Sequence, residues 1–213
     1  MGSSNPFIDR GRVEPEPAPT EEPMEDDVVL GSRVSTTGPR HPLAVREGAG
    51  AADALPLATA ETTAAVFVAG VHGGAGATTI SELLGDGAAE TRRTWPTPNP
   101  WLNSPTPGGL LLCARTHARG MDAARAVLTA WHAGAYVTGL PLLGICLIDD
   151  APRLSKQQIV EIKRLTAMAP HGWHMPWQEP LRHELAPSSP SGRVSRMLRS
   201  IRTHADRLGR TKE

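Results

Sequence analysis

Ala64-Ala65-Val66-Phe67-Val68-Ala69-Gly70-Val71-His72-Gly73-Gly74-Ala75-Gly76-Ala77-Thr78-Thr79 is the stretch on which the fold of this chain turns. Its first six residues are apolar and rich in β-preferring types, the pattern of a strand buried on both faces. A glycine-rich loop follows directly. From Thr78 to about Glu90 the sequence reads as a helix, with Ile80, Leu83 and Leu84 on one face. Such a loop brings backbone amides and the positive end of a helix to one point, which favours an anion.

A phosphate loop normally adds a lysine that reaches the β- and γ-phosphates and a Ser or Thr that holds Mg²⁺. Gly73, Gly74 and Gly76 supply the open backbone, and Thr78 and Thr79 the hydroxyls. Ala77 stands where the lysine is needed. The candidate site is therefore Gly73, Gly74, Ala75, Gly76, Ala77, Thr78 and Thr79, with Thr78 as the metal ligand. The expected ligand, if any, is ATP or ADP with Mg²⁺. No catalytic residue is assigned.

Outward from the loop, apolar runs at 110–114, 142–148 and 172–175 predict three more strands. Helical spacing predicts helices over 119–132, through Met121, Ala124, Val127, Leu128 and Trp131, and over 155–168, through Ile159, Ile162, Leu165 and Thr166. Residues 91–109 carry five prolines and read as an irregular loop. Alternating strands and helices predict an α/β fold: a small parallel sheet of about four strands with flanking helices. Its ligand edge lies where the strands end.

The 213 residues are 39% hydrophobic, enough for one ordinary domain with tails. Charge is unevenly placed. Residues 1–62 hold 11 acids against 5 bases, and residues 188–213 hold 7 bases against 2 acids. The predicted organisation is an acidic, Pro-rich disordered arm over 1–62, the α/β domain over 63–187 and a basic amphipathic helix over 188–213. Cys113 and Cys146 sit inside apolar runs without metal-ligand spacing and read as buried structural thiols. The start lacks an apolar leader and has Pro6 where a myristoylation signal needs Ser or Thr. No run approaches the ~20 apolar residues of a membrane span. The expected location is cytoplasmic, with peripheral contact at the inner membrane face as an option.

His72-Gly-Gly-Ala-Gly-Ala-Thr-Thr79 resembles the deviant phosphate loop of the MinD/ParA class of P-loop ATPases, which reads Lys-Gly-Gly-Val-Gly-Lys-Thr-Thr. Five of eight positions agree. Both lysines are replaced, by His72 and Ala77, and the opening glycine is displaced to Gly70. Segments 110–130, 142–149 and 174–182 resemble later strands and loops of that class, so the likeness spans about residues 64–185. The chain also resembles small P-loop-like proteins carried on mobile elements of GC-rich bacteria. The resemblance implies a P-loop NTPase-like fold and a nucleotide ligand. It departs where the class places a strand with a metal-positioning Asp, because 91–109 offers no acidic residue. Asp149-Asp150 is the alternative carboxylate, although its place in the chain suits the base-binding strand better.

Without lysine, the largest electrostatic term in phosphoryl transfer is missing. A protonated His72, or Arg115 or Arg119 swung over the site, is the available compensation. The expected function is a nucleotide-binding or pseudo-ATPase adaptor of the MinD/ParA-like class, without efficient hydrolysis. A low-turnover partitioning or positioning ATPase is the first alternative, and an interaction module with a vestigial loop the second. Trp131 and Trp173 are expected in the core, and Trp95 and Trp101 to pack back on the domain. His171, His174 and His183 read as incidental.

Over 191–208, Val194, Met197, Leu198, Ile201, Ala205 and Leu208 form an apolar stripe flanked by arginines. Docking on protein ranks first for this helix, a membrane surface second and nucleic acid third. The implied partner is a related ATPase or a membrane-associated assembly.

Overall fold

The computed structural model describes residues 54–102, 108–136, 139–182 and 190–210. The expectations for residues 1–53, for His183 and for the linker at 187–189 lie outside the described residues. Strands β1 (Leu57–Thr59), β2 (Val66–Gly70), β3 (Ala88–Glu90), β4 (Trp95–Thr97), β5 (Leu110–Arg115), β6 (Leu142–Ile148) and β7 (Gly172–Met175) are joined by helices α1 (Ala77–Leu84) after β2, α2 (Ala118–His132) after β5, α3 (Lys156–Ala167) after β6 and α4 (Gly192–Arg210) after β7.

Five strands form one sheet in the order β3-β2-β5-β6-β7, and every pair is parallel. All of β2 and β6 is buried, as a strand covered on both faces requires. One face carries α2 and α3, with Met121, Ala124, Leu128, Ile162 and Leu165 packed on Phe67, Leu110, Leu112 and Ile145. The other face carries α1 and α4, with Ile80, Leu84, Val194, Leu198 and Ile201 packed on Val68, Leu111, Leu143 and Cys146. The apolar stripe of α4 thus closes the core of its own domain. Arg202 adds a hydrogen bond from Nη2 to the Leu84 carbonyl at the end of α1, 2.5 Å.

The predicted strands appear as β2, β5, β6 and β7, and the parallel architecture is as expected. Two segments differ. Ala88–Glu90, read as the end of a helix, is a strand paired with β2. Gly85 and Gly87 adopt φ of 68° and 91°, which stops α1 and turns the chain back along the sheet. The Pro-rich loop contains β4, which pairs in parallel with β1. β1 lies within the stretch assigned to the disordered arm. It is anchored because the Leu55 amide donates to the Tyr136 hydroxyl at 2.7 Å, and Tyr136 stacks on the buried Trp95 at 4.0 Å between ring centroids.

Trp95 and Trp173 are buried and Trp131 is half-buried, whereas Trp101 is 90% exposed rather than packed back. Ile159 is 44% exposed, so the buried face of α3 rests on Ile162 and Leu165. Cys113 and Cys146 are register partners on β5 and β6 and both are free thiols. Burial pushes the Cys113 thiol well up and Cys146 up to about 12, so both stay protonated. Among the described residues no helix is long and apolar enough to cross a membrane.

Candidate functional site

From β2 the chain runs to β3 on one side, then returns past β2 to β5 on the other. The loops after β2 and β5 therefore leave toward opposite faces. In open parallel sheets this reversal of strand order is where ligands settle. The loop Val71–Gly76 lies at that point.

Two glycines shape it. Gly74 has φ 73° and Gly76 has φ 88°, both in the left-handed region that favours glycine. A Cβ on Gly76 would also come within 2.7 Å of Ile148 Cδ1. Gly76 is the N-cap of α1, and no side chain caps that helix. The first-turn amides, from Ala77 to Thr79, have no intrahelical acceptor by helix geometry. A Cβ on Gly73 or Gly74 would meet open space. Ala75 and Ala77 are buried in the core under α1, while Thr78 is exposed and Thr79 half-buried. Position 77 thus points a methyl into the core where the phosphate-loop pattern calls for a cation.

His72 does not replace that cation. Its Nε2 accepts the Arg115 amide at 3.0 Å, which places the ring proton on Nδ1, and Nδ1 donates to the Gly73 carbonyl at 2.8 Å. Both nitrogens are used by a neutral ring. Burial is the main cause that lowers its pKa, and His117, Arg93 and Arg115 push the same way against the Gly73 bond. The imidazole is a latch between the loop and the end of β5. α2 closes on it so tightly that a Cβ on Gly120 would lie 2.8 Å from His72 Nε2 and collide with the Arg115 carbonyl.

The positive charge comes from a segment expected to be irregular. A cavity of about 220 Å³ is walled by Gly70 and the loop from His72 to Thr78, together with Glu90, Arg92 and Arg93. Arg115 and Arg119, the arginines expected there, are not in its walls. The turn Thr91-Arg92-Arg93-Thr94 is stapled from both ends. Thr94 Oγ1 donates to the Thr91 carbonyl at 2.7 Å, and Thr91 Oγ1 donates to the Thr94 carbonyl at 2.9 Å. The Arg92 carbonyl accepts the Gly70 amide at 2.7 Å, tying the turn to the start of the glycine loop. Arg92 itself has φ 56°, and it is the non-glycine residue with positive φ among those described. A long side chain held in a glycine conformation beside a glycine loop marks stored strain. Glu90, at the end of β3, puts a carboxylate in the same walls.

Asp149 and Asp150 serve elsewhere. Asp149 Oδ1 accepts from His174 Nε2 at 2.6 Å, and its Oδ2 accepts the Trp177 amide at 3.3 Å. Asp150 Oδ1 accepts the Thr116 hydroxyl at 2.7 Å. These bonds tie the ends of β5, β6 and β7 together and keep both carboxylates out of the loop cavity. His174 is accordingly a structural partner of Asp149. Among the described residues no three His, Cys, Asp or Glu side chains gather as a metal-ion site.

Sequence reasoning missed Glu90, Arg92 and Arg93. The available signal was Gly85-Asp86-Gly87, which ends a helix early enough to leave a short strand before the arginines. The chain matches no protein-family model, no curated protein and no solved structure.

Proposed function

We propose that the loop Gly73–Thr79 binds the phosphates of ATP or ADP, and that the protein is a nucleotide-responsive adaptor of the MinD/ParA-like P-loop class without efficient hydrolysis. The carrying observation is the cavity that joins an uncapped helix start and two left-handed glycines to Arg92 and Arg93. Amides and a helix terminus favour an anion, and two guanidinium groups offer the paired donors that suit phosphate oxygens. The donor set also fits Mg²⁺. The Thr78 hydroxyl and the Glu90 carboxylate are hard oxygen ligands of the kind that complete a shell built mainly from water and phosphate oxygens. When bound, Mg²⁺ would neutralise phosphate charge there.

Weak catalysis follows from what the loop holds at the two lysine positions, a buried methyl and a neutral imidazole. The low-turnover ATPase is the second reading because Glu90 lines the loop cavity, a carboxylate where the sequence reading had only Asp149-Asp150 as an alternative. Calorimetric titration with ATP, ADP and GTP, with and without Mg²⁺, paired with a phosphate-release assay, tests both. Saturable binding with release at the buffer level supports the adaptor. Release that disappears in Thr78→Ala supports the ATPase. No binding to any of the three overturns the nucleotide reading.

A further inference from the structure

Beside the loop cavity lies a larger one of about 520 Å³, and Glu90 and Arg92 stand in the walls of both. Its remaining walls come from the β1–β4 ribbon and the segment after β1, including Ala58, Thr59, Glu61 and Pro96, with Phe67 from β2. The two volumes divide the work. At about 220 Å³ the loop cavity is below the range of roughly 300–1,000 Å³ typical of small-molecule pockets, and suits phosphate groups alone. The larger cavity falls inside that range.

Its chemistry is mixed. Ala58, Phe67 and Pro96 are its apolar walls, while Glu61 is an exposed carboxylate. Among the described residues Glu61 enters no ion pair. A carboxylate only accepts hydrogen bonds, so it selects a ligand body rich in donors, such as adjacent hydroxyls. Arg92 stands in the walls of both cavities, a cation available to an anionic group between them.

We infer that the ligand is a phosphate ester of a polyhydroxylated ring, with its phosphate at the Gly73–Thr79 loop and its ring in the cavity between β3 and the β1–β4 ribbon. This rests on the loop's affinity for phosphate and adds the cavity that takes the ring of the compound carrying it. The ring belongs to a nucleoside or to a sugar, and matched probes separate the two.

The test is titration of the full chain with inorganic phosphate against glucose 1-phosphate, and with pyrophosphate against ADP. At least one ester binds about tenfold tighter than its bare counterpart, the gain expected from one or two charge-assisted hydrogen bonds. That advantage is lost in Glu61→Gln, an exposed position, and in Ala58→Trp, which fills the cavity. The bare anions bind both variants as they bind the wild type. Should Ala58→Trp fail to fold, Glu61→Gln carries the comparison. Bare anions that bind while neither ester gains, or a gain that survives both substitutions, overturns the ring site and leaves the phosphate loop standing. Failure of pyrophosphate and phosphate alike to bind the wild type overturns the loop reading, and the ring site with it.

Discussion

Replacing Gly76 by Ala tests the geometry of the loop in a single residue. Two costs arise in the folded state. A Cβ at φ 88° costs about 1–2 kcal/mol for an L-residue in the left-handed region. The same Cβ would sit 2.7 Å from Ile148 Cδ1, an overpacking cost of about 1–2 kcal/mol once the side-chain end has shifted. The lower entropy of an unfolded alanine returns about 0.5 kcal/mol. The net expectation is a loss of about 1.5–3.5 kcal/mol in urea unfolding. The second cost is separable because Val lacks Cδ1. Ile148→Val alone costs about 1 kcal/mol, and the double variant should recover about 1 kcal/mol relative to additivity. A Gly76→Ala loss under about 0.5 kcal/mol, or strict additivity of the pair, refutes the loop conformation.

Ile201→Ala should cost about 2–5 kcal/mol, because Ile201 is fully buried between α4 and the sheet; a near-neutral result in urea unfolding would mean the stripe faces a partner instead. Arg92→Gly should raise stability by about 0.5–1 kcal/mol, through relief of the φ 56° backbone less the entropy of glycine, while weakening pyrophosphate binding about tenfold. Unchanged affinity in that variant removes Arg92 from the site. Acidification should destabilise the fold. The pKa of folded His72 lies below the ordinary 6.5, so as pH falls through 6.5 the unfolded chain takes up the proton first and stability drops. His171, lowered by burial, His204 and Arg207, adds to the same slope. Urea midpoints at pH 7.5 and 5.5 check this, with a shallower slope expected for His72→Asn; equal midpoints in the wild type count against the latch.

The long features of the fold were legible because they repeat one simple pattern. Val66–Ala69, Leu110–Ala114 and Leu142–Ile148 are continuous apolar runs, and a parallel strand covered on both faces has no other composition available. The stripe of α4 was equally plain, but periodicity shows only that a face is buried, and its partner proved to be β6, β7 and α1. The misses share a physical cause. β3 and β4 have three residues each, too few for any period, and Ala88-Ala89 favours a helix by propensity. Only the tertiary environment makes strands of them.

Six of the seven loop residues, Gly73 to Thr78, stand together in the cavity walls because they are contiguous and a strand-to-helix turn fixes them, while Thr79 lies outside those walls. Their surroundings could not be read the same way. His72 meets the amide of Arg115, 43 positions away, and Arg92 meets Gly70 through a carbonyl, so neither contact depends on side-chain identity in a way that leaves a motif. Charge at the loop moved from the expected lysine positions to a neighbouring turn, and proximity of that kind is set by strand order alone.

Backbone amide NMR of the full chain during a pyrophosphate titration tests the proposal that the amides of Gly73–Thr79 meet phosphate beside Arg92 and Arg93. Saturable shifts confined to residues 70–79 and 90–93 are expected. Resonances there that stay fixed, or shifts centred on another surface, would contradict it.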